Sequence, residues 1–349
     1  MPFSFLKNFS KLHIQFYLYH PYLVCGYSSL TATHATLLLW LSCLCDCVCK
    51  PFIVAGYQVG LIRHDVMKYL NRFPEVFLIT KKYVELNPAF RSYKERTTKI
   101  ADVLQSLREE NEICALKGWR DECFGVTTPF CADNLMEMER SAICLFGIRN
   151  YGVSVTGYVN DPEMGLCIWL QQRSFTKQTW PGKWDCFVSG GLAVGYGVLE
   201  TTVKEAAEEA SVEGELVKKL VPAGCVSFYF ESERGLFPNT EYVYDLELPL
   251  DFVPQNADGE VEAFELLTAA ECVQRALTPQ FKTTSAPVLI DFLIRKGYIN
   301  PENANTLFNF DLFDEDNVDL AICKQCGKSN SRKGGDKYVF AGKRCLEWQ

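Results

Sequence analysis

The sequence predicts an α+β protein of two domains. Three observations carry this. The chain has 349 residues, about twice what one hydrophobic core usually organises. Apolar residues switch between the period of a strand and that of a helix at short intervals from about residue 50 onward. A Gly-rich loop then runs directly into an amphipathic helix near residue 198, a pattern of mixed α and β packing rather than of a bundle or a pure sheet.

In chain order, Phe52-Ile53-Val54 and Val59-Gly60-Leu61-Ile62 flank Ala55-Gly56-Tyr57-Gln58, which predicts two short strands around a Gly-containing turn. Asp65 is the expected N-cap of a short helix with Val66, Leu70 and Phe73 on one side, stopped by Pro74. Val76 to Ile79 reads as a buried strand. Thr97 or Thr98 is placed to cap a longer helix whose Ile100, Val103, Leu104 and Leu107 form an i, i+3, i+4, i+7 stripe. These elements make a small α+β amino-terminal domain over 50–140, preceded by an extension over 1–49.

The second domain, 141–302, opens with Val153 and Val155 in alternation, then Leu166 to Leu170 as a strand. Thr179-Trp180-Pro181-Gly182-Lys183-Trp184-Asp185 is rich in turn formers. Phe187 to Gly191 leads into a loop holding Gly190, Gly191, Gly195 and Gly197, and a helix is expected from Val198 to Ser211. Strands follow at Cys225–Phe230, Glu241–Leu248 and Val261–Leu267, and Pro287 to Arg295 predicts a closing helix.

Composition sets outer bounds. Hydrophobic residues make up 48% and charged residues 22%, as in soluble globular proteins. A net charge of −8 argues against a nucleic-acid partner, because no basic field covers the molecule. The sixteen cysteines include Cys114, Cys123, Cys131, Cys144, Cys167, Cys186, Cys225 and Cys272, scattered through well-cored sequence as buried small hydrophobes of a reducing, cytoplasmic compartment. No Asp, Glu, Lys or Arg lies between Leu12 and Cys45, but Tyr, Ser, Thr and His dilute that run, so membrane insertion is not expected. Lys7 and Lys11 without an acid before Asp46 permit an organelle presequence. Cys43, Cys45, Cys47 and Cys49 alternate as along one face of a strand. The tail over 303–349 is basic and carries Cys323, Cys326 and Cys345, one ligand short of the usual four of a zinc site, so a mobile tail is expected there.

The helix at Lys204-Glu205-Ala206-Ala207-Glu208-Glu209-Ala210-Ser211 carries the chemistry. Glu205, Glu208 and Glu209 stand at i, i+3 and i+4 on one face, with Leu199, Val203, Ala206, Ala207 and Ala210 opposite. Alone, such a triplet is commonly a solvated acidic face. The preceding glycine loop changes that reading, since it lets backbone approach a ligand closely and the carboxylates are hard-oxygen donors for Mg²⁺.

Over this stretch the chain resembles the Nudix family, whose box reads G-x5-E-x7-R-E-U-x-E-E-x-G-U. Gly190 stands at the first glycine, Glu205, Glu208 and Glu209 at the metal-binding glutamates, and Ala206 and Val212 at apolar positions. Tyr196, Lys204 and Ser211 depart from it, in place of a Glu, an Arg and a Gly. Glu200, at i−4 from Lys204, is expected to support that lysine, and Gly214 offers an alternative helix end. The segments Gly118-Trp119-Arg120-Asp121-Glu122, Glu233 to Pro238, Tyr244 to Pro249 and Asp258 to Glu262 are similar to one Nudix subgroup, which includes the Nudix region fused to fungal thiamine pyrophosphokinase and stand-alone plant and yeast relatives.

That resemblance implies a Nudix α/β/α sandwich with a mixed sheet behind the amino-terminal domain. It implies a Mg²⁺-dependent (or Mn²⁺-dependent) diphosphatase hydrolysing damaged thiamine diphosphates to monophosphates, a housecleaning role on a small-molecule diphosphate. Glu205, Glu208 and Glu209 are the expected metal ligands and catalytic groups, with Glu260 a further acid that reaches the metal or lies in the loop. Gly190, Gly191, Lys183 and Arg234 are candidate substrate contacts, and Trp180 and Trp184 are candidates for ring stacking or for core. Two alternatives stay open: a Nudix hydrolase of a nucleoside diphosphate-linked metabolite such as ADP-ribose, and a catalytically weak Nudix-like binding module.

Overall fold

The computed structural model describes residues 12–15, 49–128, 132–300 and 302–303. The expectations for Cys43, Cys45, Cys47, Cys131 and the tail cysteines fall outside these. Strand β1 is Leu12–Gln15. Strands β2, Cys49–Val54, and β3, Tyr57–Arg63, form a hairpin whose turn residues Ala55 and Gly56 have φ of 52° and 83°. Two positive φ values match the twist of a tight hairpin, and glycine takes the second at no steric cost. Helix α1 spans His64–Leu70 and buries Val66, Met67 and Leu70. Its N-cap is Arg63, not Asp65: Asp65 lies inside the first turn and pairs with the Arg63 guanidinium at 2.8 Å.

Strands β4, Phe77–Ile79, and β5, Val84–Leu86, complete a four-stranded sheet in the order β3-β2-β5-β4. Helix α2 runs Tyr93–Glu109, and all four apolar residues of its expected stripe are buried. Its N-cap lies five to six residues earlier than the threonines suggested. Ser92 and Glu95 form a reciprocal capping box that ties down its orphan backbone N–H groups, while Thr97 instead accepts the backbone N–H of Glu137 at 3.1 Å. The hairpin of β6, Cys123–Val126, and β7, Met136–Glu139, closes this region. Its core gathers Phe52, Phe77 and Phe146 with the α2 stripe.

The rest of the chain builds on one sheet. Its strands are β8, Asn150–Asp161; β9, Gly165–Arg173; β10, Trp184–Asp185; β11, Val188–Gly191; β12, Val221–Ser232; β13, Gly235–Glu247; and β14, Val261–Thr268. The order is β1-β12-β13-β8-β9-β10, with β11 on β8 and β14 on β9. β13 and β8 are parallel and their other pairings antiparallel, so the sheet is mixed.

Helices cover both faces. Helix α3, Val198–Ala210, lays Ala206 and Ala210 on Val155, Val159, Phe187 and Val188. Across the sheet, α4 spans Ala269–Ala276 and α5 spans Ala286–Arg295, and Val288 of α5 packs with Cys186, Val226, Phe228 and Val243. Alternate residues of β8 serve the two faces, as the pleat requires. This is the α/β/α sandwich with mixed sheet expected from the sequence. Among the described residues no helix is long and apolar enough to cross a membrane.

Candidate active site

The site forms where β11 hands the chain to α3. Gly190 and Gly191 pair with Val153 and Gly152 of β8, and their neighbours are opposite in kind. A Cβ on Gly190 would overlap the Glu205 side chain, lying 2.8 Å from its Oε1. A Cβ on Gly191 would lie 2.6 Å from Cζ of Phe124 and 3.1 Å from the Arg140 guanidinium. The glycines therefore admit a carboxylate on one side of the strand and a cation on the other.

Helix α3 starts at Gly197, whose N–H donates to Glu200 Oε2 at 3.3 Å. Glu200 is thus committed to the cap and does not support Lys204. Lys204 instead donates to Glu208 at 2.8 Å and reaches Glu205 at 3.5 Å. The helix ends at Ser211, in left-handed conformation with φ 52° and ψ 36°, and not at Gly214. The Ser211 hydroxyl compensates in part by donating to the Gln255 carbonyl at 2.9 Å. The loop before β14 docks on this helix end, with Ala257 N–H donating to the Glu208 carbonyl at 3.0 Å.

The three glutamates are graded in depth rather than equally displayed. Glu208 is 44% exposed, Glu205 is 16% exposed, and Glu209 is buried. Glu209 accepts the Ser189 backbone N–H at 2.9 Å and the Gln171 side-chain amide at 3.0 Å. Burial, with Glu205 and Asp185 nearby, pushes its carboxyl upward against those hydrogen bonds. Burial also raises Glu205, with Glu208 and Glu260 adding to the rise and Lys204 opposing it. Among the described residues no three His, Cys, Asp or Glu side chains converge into a closed ligand set; Lys204 occupies the space between two of the glutamates.

The residues nevertheless fit a divalent cation. Glu205 and Glu209 are desolvated carboxylates, the first raising the second, and are hard-oxygen donors whose repulsion a cation relieves; the missing Cβ of Gly190 makes room for Glu205.

Behind the glutamates lies a hub that sequence reading missed. Asp185 is fully buried and receives Lys282 Nζ at 2.7 Å, Arg173 Nη1 at 3.2 Å, Ser189 Oγ at 3.2 Å and its neighbour's N–H at 2.8 Å, with Ser285 Oγ also donating. Burial works to raise its pKa, but Lys282 and Arg173 outweigh that and pull it down to about 2. Glu241 on β13 lies where a Cβ of Gly152 would stand, and burial plus Asp185 push it up to about 7 against the pull of Lys282 and Arg140. The acidic end of the Trp-Pro-Gly-Lys-Trp-Asp turn was the visible signal for Asp185; Glu241 left none, being one acid in an alternating strand.

The remaining candidates divide. Glu260 is held by Lys177 in an ion pair and is lowered by that lysine and by Arg173 and Arg140, against burial. Lys183 does not turn to the glutamates: its ammonium donates to the Pro279 carbonyl. Trp184 is buried, with the Arg275 guanidinium 4.5 Å from its ring centre, so it is core. Arg234 lies over the Phe237 ring and beside Gly118.

Comparison with known proteins agrees with this architecture. A family model described as the NUDIX domain matches residues 150–291, and one described as a domain of unknown function, DUF4743, matches 39–150. Nudix hydrolase 24, chloroplastic, of Arabidopsis thaliana is 37% identical over 261 residues, covering 74% of this chain and 70% of its own. Nudix hydrolase 20, chloroplastic, of the same plant is 35% identical over 267 residues with the same coverage. An uncharacterized protein of Saccharomyces cerevisiae is 35% identical over 247 residues, covering 66% of this chain and 71% of its own. The chain belongs to the Nudix hydrolases. It is a Nudix-type diphosphate hydrolase in which a DUF4743 region precedes the Nudix domain.

Proposed function

We propose that this protein is a Mg²⁺-dependent diphosphatase that hydrolyses thiamine diphosphate derivatives, damaged forms among them, to monophosphates. The observation that carries the hydrolase reading is the placement of Glu205 against Gly190 with the buried Glu209 behind it. Glu205, Glu208 and Glu209 would hold the metal, with Mn²⁺ an alternative, and Glu208 would exchange its Lys204 partner for it. The metal, when bound, neutralises diphosphate charge and lowers the pKa of an attacking water. The chain's own part is to hold the carboxylates: Ser189 N–H and Gln171 fix Glu209, and the α3 packing fixes the helix. Glu260, near enough to Glu205 to raise it, stands as the late acid.

The substrate class rests on the resemblance of Gly118 to Glu122, Glu233 to Pro238, Tyr244 to Pro249 and Asp258 to Glu262 to the subgroup that includes the thiamine pyrophosphokinase fusions. A nucleoside diphosphate-linked metabolite such as ADP-ribose is the second reading. We assign 50–140 as a companion domain and 141–302 as the catalytic one. The chloroplastic names of the plant relatives support an organelle presequence at the amino terminus, which mass spectrometry of the mature N-terminus tests.

The deciding panel incubates the full chain and Glu208→Gln with Mg²⁺ and oxothiamine diphosphate, thiamine diphosphate or ADP-ribose. Mg²⁺-dependent phosphate release from the thiamine compounds, lost in the variant, is expected. No phosphate from either thiamine compound together with no AMP from ADP-ribose overturns the enzyme reading, and equal product formation by the variant overturns the metal assignment.

A further inference from the structure

The arginines of the amino-terminal region are unexplained by a metal site alone. Arg120 and Arg140 flank the β6–β7 hairpin and are tied to it through Glu139 and Glu122: Arg120 N–H donates to Glu139 Oε1 at 3.2 Å, and Arg140 pairs with Glu122 at 2.7 Å. Arg234 comes from the β12–β13 turn, which is pinned to this region by Cys144 Sγ donating to the Arg234 carbonyl at 3.4 Å and by Gly235 pressed on the Cys144 backbone. Arg173 and Arg120 both reach Thr179, the first through its carbonyl at 3.1 Å and the second through its hydroxyl at 3.1 Å. Four guanidinium groups thus gather from three segments.

Their charges are not balanced. Arg173 has Asp185 and Arg140 has Glu122, but neither Arg120 nor Arg234 forms an ion pair among the described residues. Partial burial together with Arg140 and Arg234 lowers Arg120 to about 10, with only Glu122 opposing. Half-buried cations crowded this way are costly without an anion. The cluster also has a defined position: Arg140 stands against Gly191 and Glu205 against the adjacent Gly190, on opposite sides of β11, and the charge of Arg140 still reaches Glu260, an acid that raises Glu205. Planar guanidinium forks suit phosphate oxygens, which they can bind in pairs.

We propose that Arg120, Arg140 and Arg234 form a phosphate-binding lip that holds one phosphate of the diphosphate while the α3 carboxylates face the metal. The DUF4743 region is then part of the substrate site rather than an appendage. This rests on the diphosphate reading for its biological ligand, but the lip itself is testable without turnover. The probe is inorganic pyrophosphate, titrated calorimetrically in EDTA into the full chain, Arg234→Gln, Arg120→Gln and the exposed-lysine control Lys218→Gln, with circular dichroism confirming that each is folded.

Wild type and the exposed-lysine control Lys218→Gln should bind equally, and each arginine variant should bind about tenfold or more weakly, since each removes a charge-assisted contact. Arg234→Gln should also raise KM more than it lowers kcat. Absence of pyrophosphate binding to wild type, or unchanged binding by both folded arginine variants, overturns the lip. Weakened binding in these variants with no hydrolysis of any substrate leaves the lip standing and refutes the hydrolase reading alone.

Discussion

Asp185→Asn should be among the most destabilising isosteric substitutions in the chain. The carboxylate is wholly buried and faces two cations, Lys282 and Arg173, whose own side chains are 16% and 8% exposed. Asparagine keeps the volume but removes the charge and turns an N–H₂ group toward at least one cation. Breaking one partner of a buried pair costs about 3–5 kcal/mol because a charge is left uncompensated. The acid limb gives a second estimate. Lowering from 3.8 to about 2 corresponds to roughly 2–3 kcal/mol of stability at neutral pH. The sign follows from a depressed carboxylate: the contribution is full above pH 3.8 and is lost as pH falls through about 2. Urea denaturation at pH 7 should show the midpoint falling by roughly 1–3 M with an unchanged slope. In the variant, the part of acid destabilisation below pH 3.8 that belongs to this group should vanish. A loss under about 1 kcal/mol, or an acid limb identical to wild type, would refute the argument that this ion cluster holds the Trp184–Ser189 segment.

Three other outcomes follow from the geometry. Gly190→Ala puts a methyl group onto the Glu205 carboxylate, so hydrolysis should fall at least tenfold and Mg²⁺ should lose its ability to raise the melting temperature, while the far-ultraviolet spectrum stays unchanged. Ser211→Gly relieves a left-handed strain of about 1–2 kcal/mol but forfeits the hydroxyl bond to Gln255, so it should lie within about 1 kcal/mol of wild type, whereas Ser211→Ala keeps the strain and should cost about 1 kcal/mol in urea titration. Glu241 has a folded pKa raised from 4.5 to about 7, so its ionisation destabilises the fold as pH rises through that window; Glu241→Gln should be the more stable protein at pH 8 by about 1–2 kcal/mol and show no advantage at pH 4, measured by thermal melts at each pH.

Much of the fold was legible because it rests on local periodicity. The α2 stripe needs only one buried face, and apolar residues report that face directly; β8 is buried on both faces, yet the alternation of Val153 and Val155 with Ser154 and Thr156 still has the period of a strand. The errors sit at helix starts. Asp65 and Thr97 are both good capping residues by type, yet the backbone turned earlier in each case, and the side chains found other partners, Arg63 and the Glu137 N–H. A cap is decided by which residue leaves the helical conformation. Composition does not carry that, although Ser92 and Glu95 at the right spacing did offer the stronger box.

The site was legible along the helix and illegible across the chain. Spacing places Glu205, Glu208 and Glu209 within one turn of each other, but their depth depends on what the sheet offers beneath them. Glu209 sinks because Ser189 and Gln171, 20 and 38 residues away, present donors to it. Lys204 turns forward to Glu208 instead of back to Glu200 because Glu200 is already spent on the N-terminal cap, a competition visible only once Gly197 is known to start the helix. The arginines are the extreme case, since Arg120, Arg140 and Arg234 span more than a hundred positions and are brought together by long-range contacts such as those of Cys144 with Arg234 and Gly235 and of Gly118 with Arg234. A long-range cluster of like charges has no sequence period. It becomes visible as an electrostatic cost in the folded chain, and that unbalanced cost is the reason to look for its anion.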